Sequence, residues 1–187
     1  MFGRKKKKFA NVDFKDYVIR EITEKDWIEF KKLYLKALKS APTMFEEAYN
    51  DQKKKGDEYW RNEIKEYHDD TRSLLCGIEH KASNKLVGIL RVRGHADSKL
   101  SHLASMSGLY LLSDHQSPEL EKRVIQLILK HFKQFTDISK LQTAIITDNV
   151  EQMQLFNQMG FVRYGYDEKH YKIGRSFYDS ILLAKVL

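Results

Sequence analysis

The sequence predicts an α/β fold built on one mixed sheet, and three observations carry that prediction. Apolar residues alternate with a period of two at 17–22, 73–80, 85–95 and about 102–112. Stretches of helical period lie between and after them, so that the order along the 187 residues is β-α-α-β-β-β-α-β-α-β-β. The segment 101–132 reads as strand, polar turn and long amphipathic helix, and the nearly continuous apolar run LQTAIIT (141–147) follows it. A strand-helix-strand step of this kind makes the fourth and fifth strands parallel, and the hairpins supply antiparallel neighbours.

Each element has a local reason. YVIREI (17–22) is rich in β-formers, and Thr23 with Asp26 three residues on forms a capping box. The helix that follows carries Trp27, Phe30, Leu33, Tyr34 and Ala37 on one face, and Pro42 ends it. A second helical region runs from about 45 to 67, interrupted near Gly56, with Trp60, Ile64 and Tyr67 on one side. SLLCGIEH (73–80) and KLVGILRVRGH (85–95) pair through the polar turn KASNK. Gly108 inside the fourth strand marks a bulge or a close backbone approach. Leu120, Val124, Leu127, Ile128 and Phe132 form the apolar face of the next helix. Asp148 with Glu151 caps the last helix, whose inward stripe is Val150, Met153, Phe156 and Met159, and Gly160 terminates it. The remainder folds as two strands joined by a turn at about 172–175.

Composition narrows the function classes. The formal charge of +7 resembles a nucleic-acid signal, yet five of those positives are Arg4, Lys5, Lys6, Lys7 and Lys8. Residues 1–16 are therefore expected to be a basic, flexible tail and 17–187 a single domain, with nucleic acid a poor candidate partner. Cys76 is the single cysteine, which excludes an intrachain disulfide and favours a reducing compartment. No apolar run reaches the ~18 residues of a membrane span, so a cytoplasmic protein is expected. His68-Asp69-Asp70 and 167–170 hold metal-capable side chains without a ligand spacing, and no metal is expected.

DNVEQMQLFNQMGFVRYG (148–165), KIGRSFYDSILLAKVL (172–187) and ALKSAPTMFEEAYNDQ (37–52) with Trp60 beyond it carry a resemblance to a known family. Together with the element order, they make 17–187 similar to a bacterial branch of the Gcn5-related N-acetyltransferase (GNAT) superfamily. The resemblance implies that parallel strands four and five splay apart to hold acetyl-CoA. It places the pantetheine against main-chain groups of Leu109 and Leu111, beside Asn149 and Phe156. The pyrophosphate would then sit on the turn and helix start, where Gln116 matches the family's Gln/Arg-x-x-Gly-x-Gly/Ala pattern. The function implied is acetyl-CoA-dependent transfer of an acetyl group to a primary amine of a small molecule or protein. A homodimer is compatible with the fold.

This sequence departs from the family pattern where Glu119 and Glu121 replace the two loop glycines. Ser117-Pro118-Glu119-Leu120-Glu121 is a self-sufficient helix start: serine caps, proline suits the first turn, and carboxylates complement the helix dipole. Those carboxylates compete with a pyrophosphate and repel it, with Lys122 and Arg123 offsetting part of the effect. Where relatives carry a strand glutamate and a helix tyrosine, Ser105 and Phe156 stand here. Catalytic candidates are accordingly His102, Ser105 and Tyr110, each with a plain alternative as surface or packing residue; His95 ranks below them. Phe45, Tyr49 and Trp60 are candidates for the acceptor pocket, and Glu46, Glu47 and Asp51 favour a cationic amine. The alternative function is a catalytically degenerate member of the fold, with weak or no CoA binding, serving as a binding or regulatory module.

Overall fold

Residues 9–187 are the ones described by the computed structural model, and their strands form one eight-stranded sheet in the order β1-β2-β3-β4-β5-β6-β8-β7. The strands are β1 Val12–Phe14, β2 Tyr17–Glu21, β3 Leu74–His80, β4 Lys85–Gly94, β5 Leu103–Leu111, β6 Lys140–Ile146, β7 Val162–Ile173 and β8 Ser176–Val186. The helices are α1 Trp27–Ser40, α2 Tyr49–Gln52, α3 Asp57–Asp69, α4 Pro118–Phe135 and α5 Val150–Gln158. The predicted fourth and fifth strands are β5 and β6, and they pair in parallel as expected.

The numbering shifts by one because the sheet starts earlier than the pattern suggests. Val12–Phe14 pairs antiparallel with β2, and Phe9 is buried beside it, so these residues are not tail. A three-residue strand behind a run of lysines gives too short an alternation to register. The basic run itself, at 4–8, lies outside the described residues.

Alternation of side chains across the sheet divides the core into two layers. On one face α1 and α3 pack Phe30, Tyr34, Leu38, Trp60 and Ile64 against Ile22, Leu75, Ile89 and Tyr110. On the other, α4 and α5 pack Leu120, Val124, Ile128, Phe132 and Phe156 against Leu90, Val92, Met106 and Leu141. Thr23 begins α1's approach as predicted. Its N–H donates to Asp26 Oδ2 at 2.7 Å, and Arg20 holds the same carboxylate through two hydrogen bonds of 2.8 and 2.9 Å.

Two local expectations are corrected. A 3-10 turn at Pro42–Met44 precedes Phe45, where the chain is extended, and the region 45–67 resolves into this extended segment, then the short α2, then α3. At the start of α5 the cap is Asn149, whose Oδ1 accepts from Gln152 N–H at 3.1 Å, and not Asp148. Val150 is consequently turned outward, 51% exposed, while Leu155 and Phe156 are buried.

Candidate active site

The site begins where the sheet stops being a sheet. β5 and β6 pair only at Leu103↔Lys140, Ala104↔Leu141 and Ser105↔Gln142. Beyond that rung both strands continue, β5 to Leu111 and β6 to Ile146, without pairing to each other. β6 is held straight from its other side, where Lys140 to Ile146 pair with β8. On β5, Gly108 adopts φ +66°, and the β4–β5 register shifts across this point. A positive φ is accessible to glycine at low cost, and the resulting bulge bends the strand. A cavity of about 580 Å³ opens in the resulting splay.

Main-chain groups of β5 beyond Ser105 face this opening without a sheet partner from β6. They fit an extended ligand that can pair with them as a strand would. Leu109 and Phe156 line the cavity, with Phe156 fixed edge-on against Phe161 at 5.0 Å between ring centres, whereas the side chain of Leu111 is 2% exposed in the α4/α5 core. Asn149 is committed to capping α5. α4 starts after the 3-10 turn Ser113–His115 that follows β5, and its first N–H groups are engaged by Ser117: Leu120 N–H donates to Ser117 Oγ at 3.4 Å and Glu121 N–H to the Ser117 carbonyl at 3.0 Å. The residues present therefore fit acetyl-CoA along the strand.

The two glutamates at the helix start are not equivalent. Glu119 is exposed and forms an ion pair with Lys15, from the β1–β2 turn. Glu121 is half-buried, and burial together with the charge of Glu151 on α5 raises its pKa. Gln116 and Lys122 are exposed, and Lys122 borders a shallow depression with Phe14, Glu119, Arg123 and Gln126. Glu119 thus has a cationic partner, whereas Glu121 has a second carboxylate nearby.

The floor of the cavity on the α1/α3 side is a buried ion pair. Arg91 on β4, 7% exposed, donates to both oxygens of Glu47 at 2.6 and 3.0 Å and stacks over the Tyr34 ring. Burial pushes the Glu47 carboxyl up, but the Arg91 hydrogen bonds and charge, with Tyr34, outweigh it and leave the pKa below the ordinary value. Next on the same face, Arg93 pairs with Glu63 at 2.8 Å and lies over Tyr67, 4.0 Å from the ring centre. Tyr171 reaches the cavity from β7. Burial, then Glu46 and Glu47, push its phenol up to about 12, so it remains a neutral hydrogen-bond donor.

The predicted catalytic residues fare differently. Ser105 lines the cavity at the last β5–β6 rung. His102 is exposed and does not line it, whereas His95, ranked lower from sequence, does, with Nε2 3.3 Å from Ser105 Oγ. The β4–β5 pairing decides this: His95 N–H bonds to Leu103 carbonyl, which brings the end of β4 beside Ser105. Tyr110 is 7% exposed, and its hydroxyl is 2.8 Å from Ser40 Oγ, which places it in the core. The pocket candidates are also corrected. Trp60 and Phe45 are 1% and 2% exposed within the α1/α3 core, and Tyr49 packs at its edge. Truncating such a buried aromatic costs about 3–5 kcal/mol, so their large role is structural. The cavity wall uses Glu46, Glu47, Tyr164 and Tyr171 instead.

The comparisons agree with this geometry. A family model described as the acetyltransferase (GNAT) domain matches residues 19–182. No curated protein sequence matches the chain. Among solved structures, a GNAT-family acetyltransferase of Streptococcus pneumoniae superposes with a TM-score of 0.80 at 17% identity, covering 91% of this chain and 99% of that one. The ribosomal-protein-S5-alanine acetyltransferase of Vibrio fischeri gives 0.79 at 18% identity, over 95% and 96%. YncA of Salmonella typhimurium, solved with its cofactor acetyl-CoA, gives 0.74 at 11% identity, over 91% and 94%. With the domain match spanning most of its length and the parallel pair splayed around a cavity, the chain belongs to the GNAT family of acetyl-CoA-dependent N-acetyltransferases.

Proposed function

We propose that the acceptor is a cationic primary amine, of a small molecule or of a protein, entering the splay from the α1/α3 face to meet acetyl-CoA laid along β5. The observation that carries this reading is the end of β5–β6 pairing at Ser105 and Gln142, with the cavity opening directly beyond it. When bound, acetyl-CoA supplies an activated acetyl group. The protein supplies the strand edge that orients it and a wall that selects the amine. Holding both reactants in register can by itself supply a large part of the rate.

Charge on the wall supports a cation. Glu46 adds a carboxylate, and Tyr164 and Tyr171 add aromatic faces that attract ammonium groups. Arg91 does not oppose this, because its charge is matched by Glu47. The Vibrio fischeri relative is named for an alanine of a ribosomal protein, which makes a protein α-amine one acceptor worth testing.

The test is transfer of labelled acetyl from acetyl-CoA to a panel of polyamines, amino sugars and peptides with free N-termini. Label should appear on one amine class, and Ala144→Trp, which fills the splay, should abolish both transfer and cofactor binding. Weak or no binding of acetyl-CoA, with no transfer to any amine, would favour a binding or regulatory role, a reading supported by the half-buried carboxylate of Glu121 at the start of α4.

A further inference from the structure

An acceptor amine must lose a proton on becoming an amide, and the cavity offers few groups able to take it. Glu47 is occupied by Arg91 and held below its ordinary pKa, which weakens it as a base. Tyr171 stays protonated. Tyr67 is buried and its pKa is raised by that burial. Glu46 is exposed on the loop after Pro42–Met44. His95 remains, at the end of β4, half-buried and on the face that also carries Arg91 and Arg93.

Its position is specific. Ser105 is the last residue of β5 paired to β6, so its hydroxyl stands at the vertex of the splay, and His95 Nε2 lies 3.3 Å behind it. Alternation on β5 sends Ala104 and Met106 into the α4/α5 core and leaves Ser105 on the acceptor face. For Ser105 to donate to Nε2, the imidazole must carry its own proton on Nδ1. The charged groups around the pair are accounted for. Arg72 donates to the His95 carbonyl at 2.8 Å, Arg93 is paired with Glu63 and Glu66, and Arg91 with Glu47.

We propose that Ser105 and His95 form a proton relay for the acceptor amine, Ser105 touching the amine and His95 acting through it. This rests on the acetyl-transfer reading above. The acceptor reacts as the neutral amine, after its ammonium form has given one proton to solvent: its nitrogen gives its lone pair to the acetyl carbon and passes a further proton to Ser105 Oγ. Ser105 passes its own proton to His95 Nε2. The carbon–sulfur bond breaks, the sulfur keeps the electron pair and takes up a proton from solvent, and His95 returns the proton it received to solvent, so that the relay is restored. Ser105 is then the catalytic residue and His95 the positioned acceptor behind it. The relay does without a carboxylate on the strand.

The experiment measures acetyl transfer by wild type, His95→Ala, His95→Gln, Ser105→Ala and Ser105→Glu/His95→Ala. The relay predicts that His95→Ala lowers kcat by about 10²–10³, within the usual range for general base catalysis, with KM for acetyl-CoA unchanged. Added imidazole should restore at least tenfold of the loss, and the glutamate at 105 should restore activity without a histidine. His95→Gln, which keeps the side chain's bulk and polarity, should be as impaired as the alanine variant if the histidine's role is chemical. A folded His95→Ala with kcat within threefold of wild type, or one that neither imidazole nor Ser105→Glu rescues, overturns the relay alone. A wild type that acetylates no amine overturns the acetyl-transfer reading and the relay together.

Discussion

The Phe45 ring occupies the space that a β-carbon on Gly108 would need: a Cβ built there lies 2.7 Å from Phe45 Cε1. The bulge that bends β5 away from β6 is thereby the socket for the loop that walls the acceptor side. Glu47, two residues on, locks the same loop to β4 through Arg91.

Gly108→Ala should therefore lose stability twice over, through the positive φ and through displacement of Phe45. We expect about 1–3 kcal/mol by urea denaturation, in the range for overpacking and backbone strain. Combining it with Phe45→Ala should give a loss smaller than the sum of the two single changes, because the second relieves the clash of the first.

The Arg91–Glu47 pair predicts an asymmetry. Glu47→Gln strands a buried guanidinium, and breaking a buried pair costs up to about 3–5 kcal/mol, reduced here because Glu47 keeps some solvent contact. Arg91→Met with Glu47→Gln removes both charges and should recover part of that loss in a thermal melt. The pH dependence follows from the sign: Glu47 has its folded pKa lowered, so its contribution is full above the unfolded carboxyl value and disappears as pH falls through the folded value. Wild type should lose this increment on acidification, and Glu47→Gln should not.

Glu121 has the opposite sign. Its folded pKa is raised by burial and by Glu151, so its charged form destabilises the folded chain above the unfolded value, and that cost fades as pH falls. Glu121→Gln should be more stable than wild type at neutral pH and should bind acetyl-CoA more tightly by calorimetry. The difference in affinity should shrink at acid pH. Glu119→Gln, which breaks an exposed pair with Lys15, should change stability by about 1 kcal/mol or less and affinity less than Glu121→Gln does.

Asn149 makes the cap of α5 and should be read as such in mutagenesis. Asn149→Ala should cost about 1 kcal/mol in denaturation, and Asn149→Asp, which can accept the same Gln152 N–H, should recover most of it.

The parts of this molecule that follow from local pattern could be read from sequence, and those that depend on long-range partners could not. The parallel step from β5 through α4 to β6 is written in a change of period, and Gly108 marks the bulge. Arg91 gave no signal inside the apolar run KLVGILRVRGH, because the carboxylate that satisfies it lies 44 residues away. Trp60 and Tyr110 have the chemistry of pocket residues, but helix packing and the Ser40 hydroxyl claim them for the core. The ranking of His102 over His95 turned on strand register, which only the β4–β5 pairing sets: it leaves His102 exposed and brings His95 to Ser105. Likewise the distinction between Glu119 and Glu121 needed Lys15 and Glu151, one from each side of the helix start.

The most direct measurement is amide hydrogen exchange across β5 with and without acetyl-CoA. Slower exchange confined to residues 106–111 and the start of α4, with 103–105 unchanged because β6 already pairs there, is the predicted result. Acetyl-CoA that leaves 106–111 as exchangeable as in the free protein, or that protects a surface elsewhere, would contradict a cofactor groove between β5 and β6.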